Sequence, residues 1–419
     1  MYREEKASGE AALPSIDSIP RATHDEAARQ KYVAFLRKFV MADLAQDMRA
    51  IYDKAIEPTF RAKNGESPED ARAVRKAMEP NTFYRTWSSL RYNAQEMTWS
   101  SVQGEVERAL PDLIDAADQA AGQSPAGGTL RLNPDLPIPK AVSALDIHLM
   151  PGCFHTEYLE EDVAVGAVYA HGTKVFSGAL KMSKNPGKGG VADSIGHYLK
   201  LKYPNFKPKR ILDLGCTIGS NLLPFHRAFP DAELYGVDVG APVLRYGHAR
   251  AESQGIAAHY SQQNAESMDF EDGMFDLVVS SFFFHEIAVP STKKILKEVN
   301  RVLAPGGRLA VSVWKAQSPL GAALGTVLER HFGDGSTADW QVMYALGNRD
   351  KIRAFATDAG LREAHVSFDV KVSRHAEPEA FIGGMIAGSP LAGEVAKLTE
   401  GEQRSIVQEI LKELEDYLD

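Results

Sequence analysis

The chain has 419 residues, of which 44% are hydrophobic and 25% are charged, so it can bury a full core and form more than one structural unit. Acidic residues outnumber basic ones by 56 to 47 and the formal charge is -9, without a dense basic block, which argues against nucleic acid as a partner. The only cysteines are Cys153 and Cys216, which excludes a disulfide framework and a tetrahedral cysteine zinc site.

No segment of the sequence is typical of export or of membrane insertion. The first ten residues lack the apolar core of a signal peptide, and no apolar run reaches the roughly 18 to 20 residues of a membrane span. We therefore expect a cytoplasmic location and no membrane span.

The first 125 residues predict a tail followed by helices. Residues 1–22 mix charge, Gly and Pro without periodicity, which is typical of a flexible tail, whereas apolar residues recur at spacings of three and four within 23–125. Five aromatic residues between 81 and 102 could roof an apolar ligand, but we expect them to pack the helices together, because aromatics at helical spacing are core more often than ligand contacts. This helical region could also support a homodimer.

A region that we expect to cover a substrate, 126–204, follows a Gly- and Pro-rich linker. It contains Asp146, His148 and His155, which could together bind a metal ion. Their spacing matches no local metal signature, so we expect no metal and interpret the histidines as hydrogen-bonding or general-base groups near a ligand.

The rest of this region predicts three local structures. The valines and the tyrosine of Val163–Tyr169 indicate a β-type segment. Lys184–Gly190 is interpreted as a turn or lid, and Ala192–Leu201 as a helix that leads into the first strand of the next region.

The most informative stretch, Lys209–Ser220, is typical of a buried strand, a tight turn and the start of a helix. Gly215 and Gly219 would let the backbone approach a ligand, whereas Asp213 would repel a pyrophosphate, so a cationic ligand fits the turn better. A second strand, Glu233–Asp238, ends in a carboxylate 19 positions beyond Gly219, about where doubly wound folds place an acid on ribose hydroxyls.

Strand-like and helix-like segments alternate from residue 210 onward, which predicts a parallel sheet covered by helices on both faces. The expected fold class is α/β: a doubly wound, Rossmann-like sheet over 205–375, preceded by the mainly helical N-terminal region and followed by C-terminal helices over 376–419. Within this scheme Ser291 is expected to cap the helix after the fourth strand, and Ala364–Val372 to form a late strand.

The motifs of the sheet region resemble those of the class I S-adenosylmethionine-dependent methyltransferases, and the resemblance covers about residues 205–375. It lies in five segments in the family's order: Asp213–Gly219, Tyr235–Asp238, Asn264–Glu266, Phe275–Ser281 and Leu303–Val311. The chain departs from the family pattern at Thr217, where a third glycine is common, and at Asn264, where Asp is common.

The resemblance implies that S-adenosylmethionine is the cofactor. The residues that it implies for cofactor binding are Asp213, Gly215, Cys216, Gly219, Asp238, Asn264, Ala265, Glu266 and Ser281. It places the two glycines along the methionine part, Asp238 on the ribose, and residues 264–266 beside the adenine.

The resemblance also implies that the segment after the fourth strand, Phe282–Ile287, faces the substrate. His285 and Glu286 are therefore the candidate catalytic residues. His285 could take a proton from the attacking group, or the pair could only organise the loop, because the sulfonium is already an activated leaving group and positioning alone can suffice.

The function expected from these observations is methylation of a small-molecule acceptor at an O, N, S or C atom. A protein or RNA methyltransferase is an alternative, although the acidic charge argues against RNA. A non-catalytic regulatory or assembly protein that binds S-adenosylmethionine is the third possibility.

Overall fold

The computed structural model describes residues 13–68, 71–144, 146, 148–176, 191–284, 286–312, 319–333, 349–362, 378–387, 395 and 398–415. The predictions made for Lys184–Gly190, His285 and Ala364–Val372 lie outside these residues. The chain divides into two compact units. The first comprises Met1–Lys31, Thr98–Val313 and Phe355–Arg362, and the second comprises Tyr32–Met97, Trp314–Ala354 and Glu363–Asp419.

The helices and strands of the described residues follow in chain order. The helices are α1 (His24–Lys38), α2 (Leu44–Ile51), α3 (Glu57–Asn64), α4 (Ala71–Met78), α5 (Thr82–Gln123), α6 (Lys140–Ser143), α7 (Ala164–Phe176), α8 (Val191–Lys202), α9 (Leu222–Ala228), α10 (Ala241–Ser253), α11 (Val289–Val302), α12 (Pro319–Phe332), α13 (Arg349–Asp358), α14 (Pro378–Ala387) and α15 (Glu400–Glu413). The strands are β1 (Thr129–Arg131), β2 (Arg210–Leu214), β3 (Glu233–Asp238), β4 (Ala258–Gln262), β5 (Phe275–Ser281) and β6 (Leu303–Ser312). Phe39–Asp43 and Tyr52–Ile56 are π-helical, and Ile16–Ser18 is a 3-10 turn.

The first unit is built on a parallel sheet of six strands in the order β1-β4-β3-β2-β5-β6. Helices α8, α9 and α10 pack on one face of the sheet, through residues such as Leu199, Phe225 and Leu244. Helix α11 packs on the other face through Ile295 and Val299. The predicted α/β, doubly wound fold is therefore confirmed. The chain leaves β2 in one direction for β3 and returns on its other side for β5, so the ligand crevice is expected at the carboxyl ends of these three strands.

The β-type segment predicted at Val163–Tyr169 is wrong, because these residues lie in and just before helix α7. The helix packs closely on α10: a side chain at Gly166 would meet Tyr246, which is fully buried. The absence of a side chain at Gly166 is what allows this close packing. Burial of an apolar helix here overrides the strand preference of its valines.

The cap predicted at Ser291 is also wrong. Helix α11 begins at Val289, two residues earlier, with Ala288 as an extended N-cap and a proline in the first turn. Proline is favoured there because the first helical N–H groups have no partner within the helix. Ser291 therefore lies inside the helix.

Part of the predicted tail packs on the first unit. Ile16 is fully buried, and the carboxylate of Asp17 accepts hydrogen bonds from the hydroxyl of Tyr246 and from Nε of Arg250, both at 2.8 Å. Strand β1, which the sequence did not predict, pairs with β4 at the edge of the sheet. With three residues, it is too short to show a periodicity.

The second unit has a core of its own. Helices α12, α14 and α15 bury Leu324, Ile382 and Ile410 against one another. Thr399 caps α15 in a capping box with Glu402.

Two of the aromatic residues between 81 and 102 pack as expected. The indole of Trp87 donates to the carbonyl of Val40 (2.9 Å), and Trp99 is buried.

Candidate active site

The turn after β2 folds back onto the end of β3. The N–H of Cys216 donates to a carbonyl of β3, and the N–H of Thr217 donates to the carboxylate of Asp238, both at 3.0 Å. Gly215, Thr217 and Gly219 have positive φ angles of 63°, 47° and 68°. Three left-handed residues within five positions reverse the chain sharply, which places the turn beside the last residue of β3.

Both glycines of this turn have protein neighbours where a side chain would lie. A Cβ atom at Gly215 would meet the ring of Phe283, and one at Gly219 would meet the hydroxyl of the buried Tyr260. Packing alone thus accounts for both glycines, and their contact with a cofactor stays a prediction. Cys216 is buried in the core beside β2, and burial raises the pKa of its thiol.

Asp213 is a fully buried acid at the end of β2. Its two carboxyl oxygens lie 3.3 and 3.2 Å from the side-chain amide of Asn221, which donates to them. Burial, against the hydrogen bond from Asn221 and with the charge of Asp238, raises the pKa of Asp213 to about 8. The group is therefore mostly protonated at pH 7.

Asp238 ends β3 with its carboxylate fixed by the backbone. Its two oxygens accept from the N–H groups of Thr217 and Gly240, each at 3.0 Å. Burial raises the pKa of Asp238 to about 6, against the lowering effect of these backbone donors. The N–H of Val239 also stabilises the charged form, and the group stays mostly ionised at pH 7 with acceptor capacity left on its oxygens.

The segment expected beside the adenine follows β4. The side-chain oxygen of Asn264 accepts from the N–H of Glu266 (3.0 Å), which closes a local turn, and Ala265 is buried. Glu266 forms an ion pair with Lys294 of α11 at 2.8 Å, and this hydrogen bond holds the pKa of Glu266 below its usual range. Lys294 thus ties α11 to this segment.

Ser281 is the last residue of β5 and lies opposite Ser312 of β6 in the register of the sheet. The hydroxyl oxygens of both serines are shielded from solvent and have no hydrogen-bond partner among the described residues. A buried hydroxyl group without a hydrogen-bond partner costs free energy, and a ligand that bonded to it would remove that cost. The position of Ser281 at the carboxyl edge is therefore compatible with the predicted contact to the cofactor.

The other candidate catalytic residue, Glu286, pairs with a histidine from a distant loop. Its Oε1 lies 2.8 Å from Nε2 of His148, and both side chains are 28% exposed. The hydrogen bond to Glu286 raises the pKa of His148, while burial lowers it. His285, the predicted base, lies outside the described residues, so its role stays a prediction.

The loop that carries His148 lies over the end of β3. The carbonyl of Phe154 packs on Gly240, at the point where a Cβ would be, and the ring of Phe154 lies 6.0 Å from that of His148 and 5.7 Å from that of Tyr169. Tyr169 comes from α7, and it hydrogen-bonds with Thr217 in the turn after β2. Sequence reasoning missed Tyr169 as a site residue, because it read this segment as a strand.

The metal alternative finds no support in this loop. The carboxylate of Asp146 accepts from the backbone N–H groups of His148 and Met150, at 3.1 and 3.2 Å. Within the ranges that the structure describes, no three His, Cys, Asp or Glu side chains cluster as metal ligands.

Comparison with protein families identifies the central part of the sheet. A family model described as a methyltransferase domain matches residues 211–307, which run from β2 to the start of β6. The chain carries a class I S-adenosylmethionine-dependent methyltransferase domain. The loop of His148 and helix α7 precede the matched part of this methyltransferase domain.

Three relatives are similar to the methyltransferase domain. Demethylmenaquinone methyltransferase of Thermus thermophilus is 40% identical over 104 residues, 25% of this chain and 46% of the relative. Tocopherol O-methyltransferase of Arabidopsis thaliana is 36% identical over 110 residues, 26% of this chain and 31% of the relative. The ubiquinone/menaquinone biosynthesis C-methyltransferase UbiE of Vibrio parahaemolyticus is 36% identical over 106 residues, 25% of this chain and 40% of the relative. The chain thus spans less than half the length of each.

In the described ranges, no helix is both long enough and apolar enough to cross a membrane.

Proposed function

We propose that this chain methylates a small-molecule acceptor with S-adenosylmethionine at the carboxyl edge of its parallel sheet. The observation that carries the proposal is the junction of the turn after β2 with Asp238, which sets a fixed carboxylate beside a tight turn within the methyltransferase domain. Whether the acceptor atom is O, N, S or C is left open.

The chemistry of this junction suits S-adenosylmethionine. Asp238 is a fixed, mostly ionised carboxylate that only accepts hydrogen bonds, which suits the hydroxyls of a ribose. When bound, S-adenosylmethionine supplies a methyl group on a positively charged sulfur atom.

The acceptor class is inferred from the rings near the edge and from the relatives. Phe283 packs on the turn, and Phe154 stands between His148 and Tyr169, so aromatic side chains surround the charged groups. The names of the relatives refer to quinone and tocopherol substrates. Hydroxylated or keto aromatic rings are therefore the first acceptors to test.

The proposal is tested in two steps with the full chain. Calorimetry with S-adenosylmethionine and S-adenosylhomocysteine measures binding. Release of S-adenosylhomocysteine is then followed by mass spectrometry with reduced demethylmenaquinone, a tocopherol, an alkyl amine and an alkyl thiol. We expect binding of both nucleosides and turnover with at least one ring acceptor.

Each other outcome contradicts a defined part of the proposal. Absence of binding would overturn the cofactor assignment, and turnover only with added protein or RNA would favour a macromolecular acceptor. Binding without turnover on any acceptor would favour a regulatory or assembly role. The cytoplasmic location and the homodimer through the helical N-terminal region stay predictions, to be checked by fractionation and by light scattering.

A further inference from the structure

We propose that His148 is the proton acceptor of the methyl transfer and that Glu286 is the residue that positions it. The inference rests on the methyltransferase activity proposed above. His148 lies outside the segment that matches the family model, and the sequence alone pointed to His285 instead. The contact between His148 and Glu286 joins two parts of the chain that are 138 residues apart.

Three elements hold His148 at the carboxyl edge. Glu286 reaches it from the turn after β5, where its N–H donates to the carbonyl of Phe283 (3.0 Å). From its own loop, the carboxylate of Asp146 accepts from the backbone N–H of His148 (3.1 Å). From α5, the indole of Trp99 donates to the backbone carbonyl of His148 (2.7 Å). The backbone of His148 is thus held from two sides and its ring by Glu286, which gives the preorganisation that a general base needs.

The contact with Glu286 also sets the tautomer of the neutral imidazole. A carboxylate only accepts hydrogen bonds, so Nε2 of His148 carries the proton, and the basic lone pair is on Nδ1. As the lone pair of the acceptor forms a bond to the methyl carbon and the carbon–sulfur bond breaks toward sulfur, the proton of the acceptor goes to Nδ1. The imidazolium so formed is paired with the carboxylate of Glu286.

The groups around His148 stabilise its protonated form. Glu286 and Asp146 both raise the pKa of His148, by a hydrogen bond and by charge, and burial opposes them. Among the described residues, Asp238 from β3, Cys153 from the same loop and Tyr169 from α7 are also titratable groups of this region. Burial raises the pKa of Cys153 and of Tyr169, and the charges of Glu286 and Asp238 add to the rise, while Arg250 lowers the pKa of Tyr169.

The pair is accessible, as a base must be. Each side chain is 28% exposed, in contrast to His171 and Glu105, a second histidine–glutamate pair whose side chains are only 10% and 3% exposed. The ring of Phe154 meets that of His148 edge-on at 6.0 Å, which leaves an aromatic wall beside the base. A ring acceptor could lie against this wall with its hydroxyl toward Nδ1.

The first experiment measures the base itself and needs no acceptor. The pKa of His148 is measured by NMR of the ring carbons and protons, assigned with His148→Gln, in the wild type and in Glu286→Gln. We expect a pKa above 6.5 in the wild type and a lower one in Glu286→Gln, because the neutral amide cannot stabilise the imidazolium. An unchanged pKa in Glu286→Gln would overturn the pairing.

The second experiment measures turnover with reduced demethylmenaquinone and the ring acceptors named above. We expect His148→Gln to lower kcat by about 100-fold or more, with the Kd of S-adenosylmethionine changed less than twofold. Wild-type kcat should rise with pH through the measured pKa of His148, and Glu286→Gln should move that rise to lower pH. His24→Gln, at an exposed histidine that begins α1, is the control and should keep both kcat and its pH dependence.

Two results would overturn the inference. If His148→Gln turned over at a near wild-type rate with the same pH profile, His148 would not be the base, although the methyltransferase activity would stand. If the wild type released S-adenosylhomocysteine with no small acceptor, the proposed function would fail, and the role of His148 with it.

Discussion

Asp213 lies one residue before the end of β2 and Asp238 ends the neighbouring strand β3, yet burial shifts their pKa values to different extents. The pKa rises to about 8 for Asp213, whose donor is one side-chain amide, and to about 6 for Asp238, which two backbone N–H groups hold. At pH 7 the first is mostly neutral and the second mostly charged, so the two acids lie close together without strong repulsion.

We expect Asp238→Ala to weaken S-adenosylmethionine binding by about 1.5 to 3 kcal/mol, the scale of hydrogen bonds to a charged group. In the wild type the affinity should also fall as the pH drops through about 6, because protonation removes the charge that holds the ribose. Calorimetry between pH 5 and 8 measures both effects, with Asp272→Ala, an exposed acid, as the control. An unchanged Kd would remove Asp238 from the ribose site.

Ionisation of Asp213 should destabilise the folded protein at alkaline pH. Its pKa is raised on folding, so its stabilising contribution is complete below the unfolded value, near 3.8, and is lost as the pH rises through about 8. Asp213→Asn cannot ionise and should therefore melt several degrees above the wild type at pH 8, with a smaller difference at pH 5. A lower melting temperature of Asp213→Asn at pH 8 would show that Asp213 is charged in the native protein.

At the scale of elements, the N-terminal segment is tied to the turn of the site through one arginine of α10. Arg250 donates to the carboxylate of Asp17 (2.8 Å) and, through Nη1, to the hydroxyl of Ser220 (3.1 Å), the residue directly after the turn. Burial alone would raise the pKa of Asp17, but Arg250 and Tyr246 outweigh it and lower the pKa. The ion pair is about a quarter exposed, which makes it stronger than a surface pair.

We expect Asp17→Asn to destabilise the first unit by about 1 to 2 kcal/mol, because it leaves Arg250 half-buried without a counter-charge. S-adenosylmethionine affinity should fall as well, since Arg250 also holds Ser220. Urea unfolding and calorimetry measure the two effects. Asp25→Asn, at an exposed pair at the start of α1, should change stability by less than about 0.5 kcal/mol. Equal effects of the two substitutions would refute the coupling.

The sequence predicted those elements whose residue pattern lies within one continuous stretch of the chain. Strands β2 and β3 are short apolar runs with an acid at, or one residue before, the carboxyl end, so the position of Asp238 followed from the pattern alone. Helix α7 was missed because its small residues are explained only by the tyrosine of α10 against which they pack. The partnership of His148 with Glu286 depends on the same tertiary packing, and no spacing along the chain encodes it.

At the scale of the whole molecule, the site residues and their covering loop all belong to the first unit, and the second unit has a separate core. The sequence predicted helices at both ends of the chain. It could not predict that Thr98–Val313 would form one compact unit with the N-terminal segment, because that division depends on contacts between distant parts of the chain. The predicted boundaries near 125 and 204 stay predictions about independent folding.

The division into two units predicts which parts of the chain exchange hydrogen more slowly when the cofactor binds. With S-adenosylmethionine at about 100 times its Kd, a state that must release the ligand before it opens is stabilised by about 2.7 kcal/mol, which slows its hydrogen exchange by about 100-fold. We expect this slowing in the turn after β2, at the end of β3 and in the loop of His148, which packs on Gly240. Helix α15 should exchange at an unchanged rate, because its apolar residues are buried within the core of the second unit.

Mass spectrometry of exchanged peptides measures these rates, and Asp238→Ala at the same ligand concentration should largely abolish the slowing. Equal slowing in α15 would show that the two cores open together.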